Sequence, residues 1–172
     1  DSKVMKIKSC NTGVPQFYEF QGTRLKTSMV RTPQKKIWVG KNQVHGDEFA
    51  GPAIHGTIEA VVYALSVESY SNWSQILDRP LPLGFFGENL SVEGLKEVDF
   101  FIDDIWGVGD VRLLVTGPRY PCNRLNFVTQ RSDMRDLFAE KAWPGVYFSV
   151  LSEGFIESND ELVLKERKQS NL

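Results

Sequence analysis

Apolar residues along this chain fall into short clusters separated by Gly, Pro, Asn and Asp, rather than into long helical stripes. Residues 4–8 (Val-Met-Lys-Ile-Lys) alternate apolar and polar, the period of a half-exposed strand, and Asn11-Thr12-Gly13 breaks it. Residues 17–20 and 25–30 predict a hairpin turning at Gln21-Gly22-Thr23, which Arg31-Thr32-Pro33 ends. Further strands are expected over 36–39, 98–102, 111–116, 146–151, 155–156 and 162–164. Residues 59–65 are apolar enough for a buried strand, with helix as the competing reading. The run Ser91-Val92-Glu93-Gly94 reads as a turn, and Gly109-Asp110 and Asn159-Asp160 as strand entrances.

Helical spacing is clear in few places. Ser66 is placed to cap a helix whose residues Val67, Tyr70, Trp73 and Leu77 share a face. A short helix is expected over 123–128. Another starts after an N-cap at Ser132, with Asp133 in its first turn and Met134, Leu137 and Phe138 facing the core. Many short strands with few helices predict a mainly β domain, closed or nearly closed into a barrel, with helices at its sides. The strands do not alternate regularly with helices, which argues against a doubly wound sheet. One domain is expected over residues 1–165, followed by a frayed polar tail over 166–172.

Composition narrows the function classes. The chain has 172 residues, enough for one sizeable core, and a net charge of −2. A general nucleic-acid binder would show a basic excess, so no nucleic-acid partner is expected. No apolar run approaches a membrane span, so no membrane association is expected. Two cysteines, Cys10 and Cys122, make no disulfide scaffold and suit a reducing cytoplasmic setting, although a bridge between them stays open at this stage. No P-loop, dinucleotide glycine fingerprint or Gly-x-Ser-x-Gly elbow occurs.

The most distinctive chemistry lies in Gly117-Pro118-Arg119-Tyr120-Pro121-Cys122. Two prolines stiffen the exit of the 111–116 strand and hold a cysteine close to an arginine. A nearby cation favours thiolate, the reactive form of cysteine, whereas a cysteine that simply packs as a small hydrophobe is the plain alternative. Residues 44–57 form a long aperiodic stretch containing both histidines, His45 and His55. His45-Gly46-Asp47 with His55 offers metal-ligand residue types, but Asp beside Gly more often makes a turn. Gly87-Glu88-Asn89-Leu90 supplies polar side chains that either touch a ligand or pin the loops at a barrel mouth. Arg31, Lys35 and Lys36 lie close in sequence, and Arg119 is the further cation of interest, since an arginine fork suits phosphate.

Taken in order, these motifs resemble those of the MOSC family, the domain type found at the C-terminus of molybdenum-cofactor sulfurases. Pro118-Arg119-Tyr120-Pro121-Cys122 resembles its Pro-Arg-x-Pro-Cys signature, and Arg31-Thr32-Pro33 its basic-x-Pro segment. His45-Gly46-Asp47, His55-Gly56-Thr57, the stretch from Gly84 to Leu90, Val108-Gly109-Asp110 and Gly145-Val146-Tyr147 are similar to further family motifs in the same order. Thr57 stands in place of a glycine, Glu59-Ala60 in place of Asp-Lys, and Asn159 in place of a glycine.

The resemblance implies a barrel that binds the molybdenum cofactor (molybdopterin), with Cys122 as the functional cysteine and as the thiolate ligand to molybdenum. It implies Arg119 and Arg31 as holders of the cofactor phosphate, and His55, Glu88 and Asn89 as residues that line the pocket or brace its loops. Reduction of a small N-hydroxylated substrate, fed by a separate electron-donor protein, is the leading expectation. A sulfur or cofactor carrier using a Cys122 persulfide from a sulfur-donor protein, or a vestigial barrel serving protein contacts, are the alternatives.

Overall fold

A computed structural model describes residues 4–48 and 57–168. Its strands are β1 (Val4–Thr12), β2 (Gln16–Phe20), β3 (Thr23–Thr27), β4 (Thr32–Gln34), β5 (Lys36–Val39), β6 (Val62–Ser66), β7 (Leu90–Glu93), β8 (Ile105–Val108), β9 (Val111–Pro118), β10 (Val146–Ser152), β11 (Gly154–Glu157) and β12 (Glu161–Glu166). Helices α1 (Val67–Leu77), α2 (Arg124–Thr129) and α3 (Met134–Lys141) complete it.

Seven strands close into a barrel in the order β12-β8-β9-β10-β6-β7-β1, and β1 returns to β12. All of these pairings are antiparallel except β6 with β7. Closure removes the open sheet edges that would otherwise invite foreign strands. Strand β1 manages closure by serving different partners along its length: residues 4–6 pair with β12, and residues 10–12 pair with β4. An irregularity between Ile7 and Ser9 in its pairing with β7 bends it.

The apolar pattern of β6 is explained by burial on both faces. Val62 and Ala64 join the barrel interior with Ile7, Leu90, Val92, Trp106, Leu113 and Phe148. Tyr63 and Leu65 point outward into a second core, with Tyr70 and Trp73 of α1, Leu125 of α2 and Phe138 of α3. A strand buried on both faces needs no alternation, so the strand reading of this segment holds and begins after a short 3₁₀ turn over Ile58–Ala60. The barrel fold predicted from the strand pattern is therefore the observed one, with all three helices on its outside.

Several expected elements differ. Ser91-Val92-Glu93 is a strand, not a turn, because Leu90 and Val92 fill the barrel interior while the main chain bridges β6 and β1. The strand expected over 98–102 is absent: Glu97–Asp99 makes a 3₁₀ turn and Val98 is 80% exposed. The strand comes later, over Ile105–Val108, after a left-handed Asp103 and a buried Asp104 that accepts the Phe101 N–H. Thr32–Gln34 forms β4 despite Pro33, as an edge position permits, and β1 continues through Asn11 and Thr12.

At α3, Asp133 takes the N-cap position that was expected of Ser132; neither side chain caps the helix. The cap on α1 is as expected, with Ser66 Oγ accepting the Ser69 N–H at 3.1 Å. The β2–β3 hairpin turns at Gln21 and Gly22, both with positive φ, as a tight hairpin requires. Cys10 is buried and Cys122 half-buried, and both are free thiols, so no bridge joins them. The described part of the polar tail is tied down at Arg167, which makes a two-pronged ion pair with the buried Asp104. Among the described residues, no helix is long and apolar enough to cross a membrane.

Candidate functional site

Strand β9 delivers the chain into the turn Arg119-Tyr120-Pro121-Cys122-Asn123 before α2. Within that turn neighbouring side chains part company. Tyr120 is 81% exposed, while Arg119 is 6% exposed and runs back into the second core. Its Nη1 donates to the carbonyl of Phe86, and its Nη2 lies 3.5 Å from the Met29 sulfur. The guanidinium carbon sits 5.1 Å from the Tyr63 ring centre and 5.3 Å from that of Phe138, within cation–π range.

Among the described residues no carboxylate forms an ion pair with Arg119, which is unusual for a buried arginine. Burial works against its charge. Burial pushes the Tyr63 phenol up, keeping it neutral, and its hydroxyl donates to Pro144 O at 2.6 Å. The site thus pairs a fixed cation, free of carboxylate partners among the described residues, with a half-buried thiol on the same short turn.

The segment Gly84–Leu90 is the scaffold behind this cation. Two consecutive carbonyls each take an arginine: Phe86 O accepts from Arg119, and Gly87 O accepts from Arg31. Gly84 and Gly87 have φ of +92° and +91°, and the main chain of residues 29–31 presses against both. A Cβ on Gly84 would meet Arg31 O at 2.4 Å, and one on Gly87 would meet Met29 O at 2.7 Å, so only glycine fits.

Glu88 and Asn89 face the protein. Glu88 is 0% exposed. Its Oε1 accepts from Tyr70 Oη at 2.7 Å, and its Oε2 accepts from Gly84 N–H at 3.1 Å and Ser91 Oγ at 2.9 Å. Burial raises its pKa, against the pull of those donors. Asn89 Oδ1 accepts the Tyr63 N–H at 3.0 Å, and its Nδ2 donates to Asp47 Oδ2 at 2.9 Å and to Asn11 O at 3.3 Å. Of the two roles anticipated for this pair, the contacts are those of loop braces.

Arg31 is neutralised. Its Nε and Nη2 grip the two oxygens of Asp47, which also accepts the Gly13 N–H at 3.0 Å. Among the described residues the side-chain bonds of Asp47 reach Gly13, Arg31 and Asn89 and none is a local turn bond, and its role as the counter-ion of Arg31 had no signal in the local sequence. Lys35 and Lys36 do not converge with Arg31: both are exposed, and Lys36 lies over the Phe155 ring at 4.4 Å. His45 is exposed, 6.3 Å from the Trp38 ring centre, and His55 lies outside the described residues. Among the described residues no three His, Cys, Asp or Glu side chains group as metal ligands.

Tyr63, Tyr70, Met29, Phe138 and Asn11 also belong to this constellation, and the sequence reading places them in a buried strand, a hairpin strand, helix faces or a turn. A polar residue fully buried in a strand must find partners, and Asn11 Nδ2 donates to Glu88 O and to Ser91 Oγ, both at 3.0 Å.

Comparison with known proteins bears on this arrangement. The sequence profile of the MOSC domain matches residues 51–163, which include the Gly84–Leu90 segment and the Arg119–Cys122 turn. The uncharacterized protein YflK of Bacillus subtilis is 30% identical over 167 residues, covering 96% of this chain and 76% of YflK. A protein of Gibberella moniliformis named only as a reductase is 34% identical over 138 residues, covering 76% of this chain but 24% of that much longer protein. Among solved structures, that of YiiM from Geobacillus stearothermophilus superposes with a TM-score of 0.77 at 32% identity, covering 95% of this chain and 76% of that one. With the barrel, the glycine-dependent loop and the Pro-Arg-x-Pro-Cys turn in place, the chain belongs to the MOSC domain family.

Proposed function

We propose that this chain binds the molybdenum cofactor at the Arg119–Cys122 turn and reduces a small N-hydroxylated substrate. The observation that carries the reading is a buried guanidinium lacking a carboxylate partner among the described residues, on the same turn as a free, half-buried thiol. The donor set fits such a group. A phosphorylated pterin brings an anion that satisfies Arg119, and molybdenum accepts a soft thiolate such as Cys122. Arg31, already paired with Asp47 and bonded to Gly87 O, contributes its remaining N–H groups and little net charge.

When bound, the cofactor supplies a two-electron redox centre. The protein's residues bind and orient. Arg119 fixes the anionic end, Tyr63 and Phe138 shield that cation from water, and Cys122 offers sulfur to the metal. Reduction of an N–OH group to N–H takes two electrons and two protons and releases water, with the electrons delivered by a separate donor protein. The relative named as a reductase supports a redox role, and two free thiols suit a reducing cytoplasmic compartment.

Turnover of a hydroxylaminopurine by cofactor-loaded protein, with an artificial electron donor, tests this reading. Measurable reduction that is abolished in Cys122→Ser is expected. Bound molybdenum without turnover overturns the reductase assignment and leaves the carrier reading, in which sulfuration deposits a persulfide on Cys122 that mass spectrometry detects.

A further inference from the structure

Tyr70 links the interior of the second core to the guanidinium at the site. Its ring packs 5.4 Å from that of Phe86, and its hydroxyl oxygen accepts the Phe86 N–H at 3.1 Å. With that lone pair in use, the phenolic proton points to Glu88 Oε1 at 2.7 Å. Phe86 therefore carries both ends of the connection: its N–H is held by the Tyr70–Glu88 pair, and its carbonyl holds Arg119. Glu88 is fixed independently by Gly84 N–H and Ser91 Oγ, so the pair is a rigid post and not a mobile contact.

We propose that Tyr70 is a positioning residue for the Arg119–Cys122 site, aiming the guanidinium by fixing Phe86 through the Tyr70–Glu88 hydrogen bond. This rests on the reading of that turn as an anion-binding sulfur site. Loss of the phenol oxygen leaves the Phe86 N–H and Glu88 Oε1 without this partner. The Phe86 carbonyl is then free to drift, and Arg119 is no longer held toward the anion beside Cys122.

The test compares alkylation of native Cys122 by iodoacetate, an anion, and iodoacetamide, its neutral analogue, by mass spectrometry of the Cys122 peptide at pH 7. A positioned Arg119 favours the anionic reagent relative to the same thiol in the unfolded chain. Tyr70→Phe, which keeps the ring, is expected to lower the iodoacetate-to-iodoacetamide rate ratio by about threefold or more. Ser69→Ala removes a hydroxyl that donates to the carbonyl of Ser66, the N-cap of the same helix, and is expected to leave the ratio unchanged, which separates positioning from loosening of α1. Arg119→Gln is expected to lower the ratio at least as far as Tyr70→Phe. A Tyr70→Phe ratio equal to wild type, with Arg119→Gln lowered, overturns the role of Tyr70 alone. An Arg119→Gln ratio equal to wild type overturns the anion-site reading as well.

Discussion

Arg31 and Asp47 form a two-pronged ion pair, Nε to Oδ1 at 2.9 Å and Nη2 to Oδ2 at 3.0 Å, with the carboxylate side chain 4% exposed. This pair joins the exit of the β2–β3 hairpin to the loop after β5, and through Asn89 to the segment that backs the site. Arg31 and Arg119 hang from neighbouring carbonyls, yet of the two, among the described residues, only Arg31 has a carboxylate partner. That asymmetry is why Arg119 is assigned the anion.

Removing Asp47 strands several groups together. In Asp47→Ala the Gly13 N–H, the Asn89 amide and the Arg31 fork all lose an acceptor. Breaking a buried pair from one side costs about 3 kcal/mol or more. Urea unfolding is expected to show a loss of that size, and a loss below about 1 kcal/mol would mean that water or neighbours replace the carboxylate with ease.

Glu88 gives the stability a pH dependence with a definite sign. Burial raises its pKa above the ordinary value of 4.5, partly offset by the Tyr70, Gly84 and Ser91 donors. A carboxyl raised in the folded state holds its proton more tightly there than in the unfolded chain. Its contribution is fully present below about pH 4.5 and is lost as pH rises through the higher folded value. Wild type should therefore lose stability relative to Glu88→Gln as pH rises from 4 to 7, read as the difference between their Tm values. A difference that stays flat, or that moves in favour of wild type, contradicts the raised pKa.

Much of the barrel was legible because its strands carry their own punctuation. The Gln21-Gly22 and Gly109 turns follow from local chemistry, whereas the apolar run of β6 left strand and helix open until its burial on both faces decided it. The misread segments are those where tertiary context decides. Leu90 to Glu93 ends at a glycine and looks like a turn, but becomes a central strand because β6 and β1 lie on either side to pair with it. Residues 98–102 look apolar enough for a strand, yet Asp103 and Asp104 turn the chain before it enters the barrel.

At the site, the Pro-Arg-x-Pro-Cys turn was visible in sequence because proline and cysteine announce themselves. The hydrogen bonds that tie Tyr70, Asn11 and Asp47 to the site were not, since those partners lie 16 or more residues away in the chain. Glu88 and Asn89 show the same limit. Their residue types suit ligand contact and bracing equally, and only the positions of Tyr63, Tyr70 and Asp47 assign their contacts to bracing.

Co-purification with the cofactor tests the central assignment most directly. Wild type, Cys122→Ser and Arg119→Gln would be purified from a host that makes the molybdenum cofactor, and bound pterin and molybdenum measured per chain. Wild type is expected to retain both, with Arg119→Gln losing at least about tenfold in bound pterin, equivalent to roughly 1.4 kcal/mol. Cys122→Ser is expected to lose molybdenum more than pterin. Wild type without pterin, or Arg119→Gln carrying as much as wild type, would contradict the account.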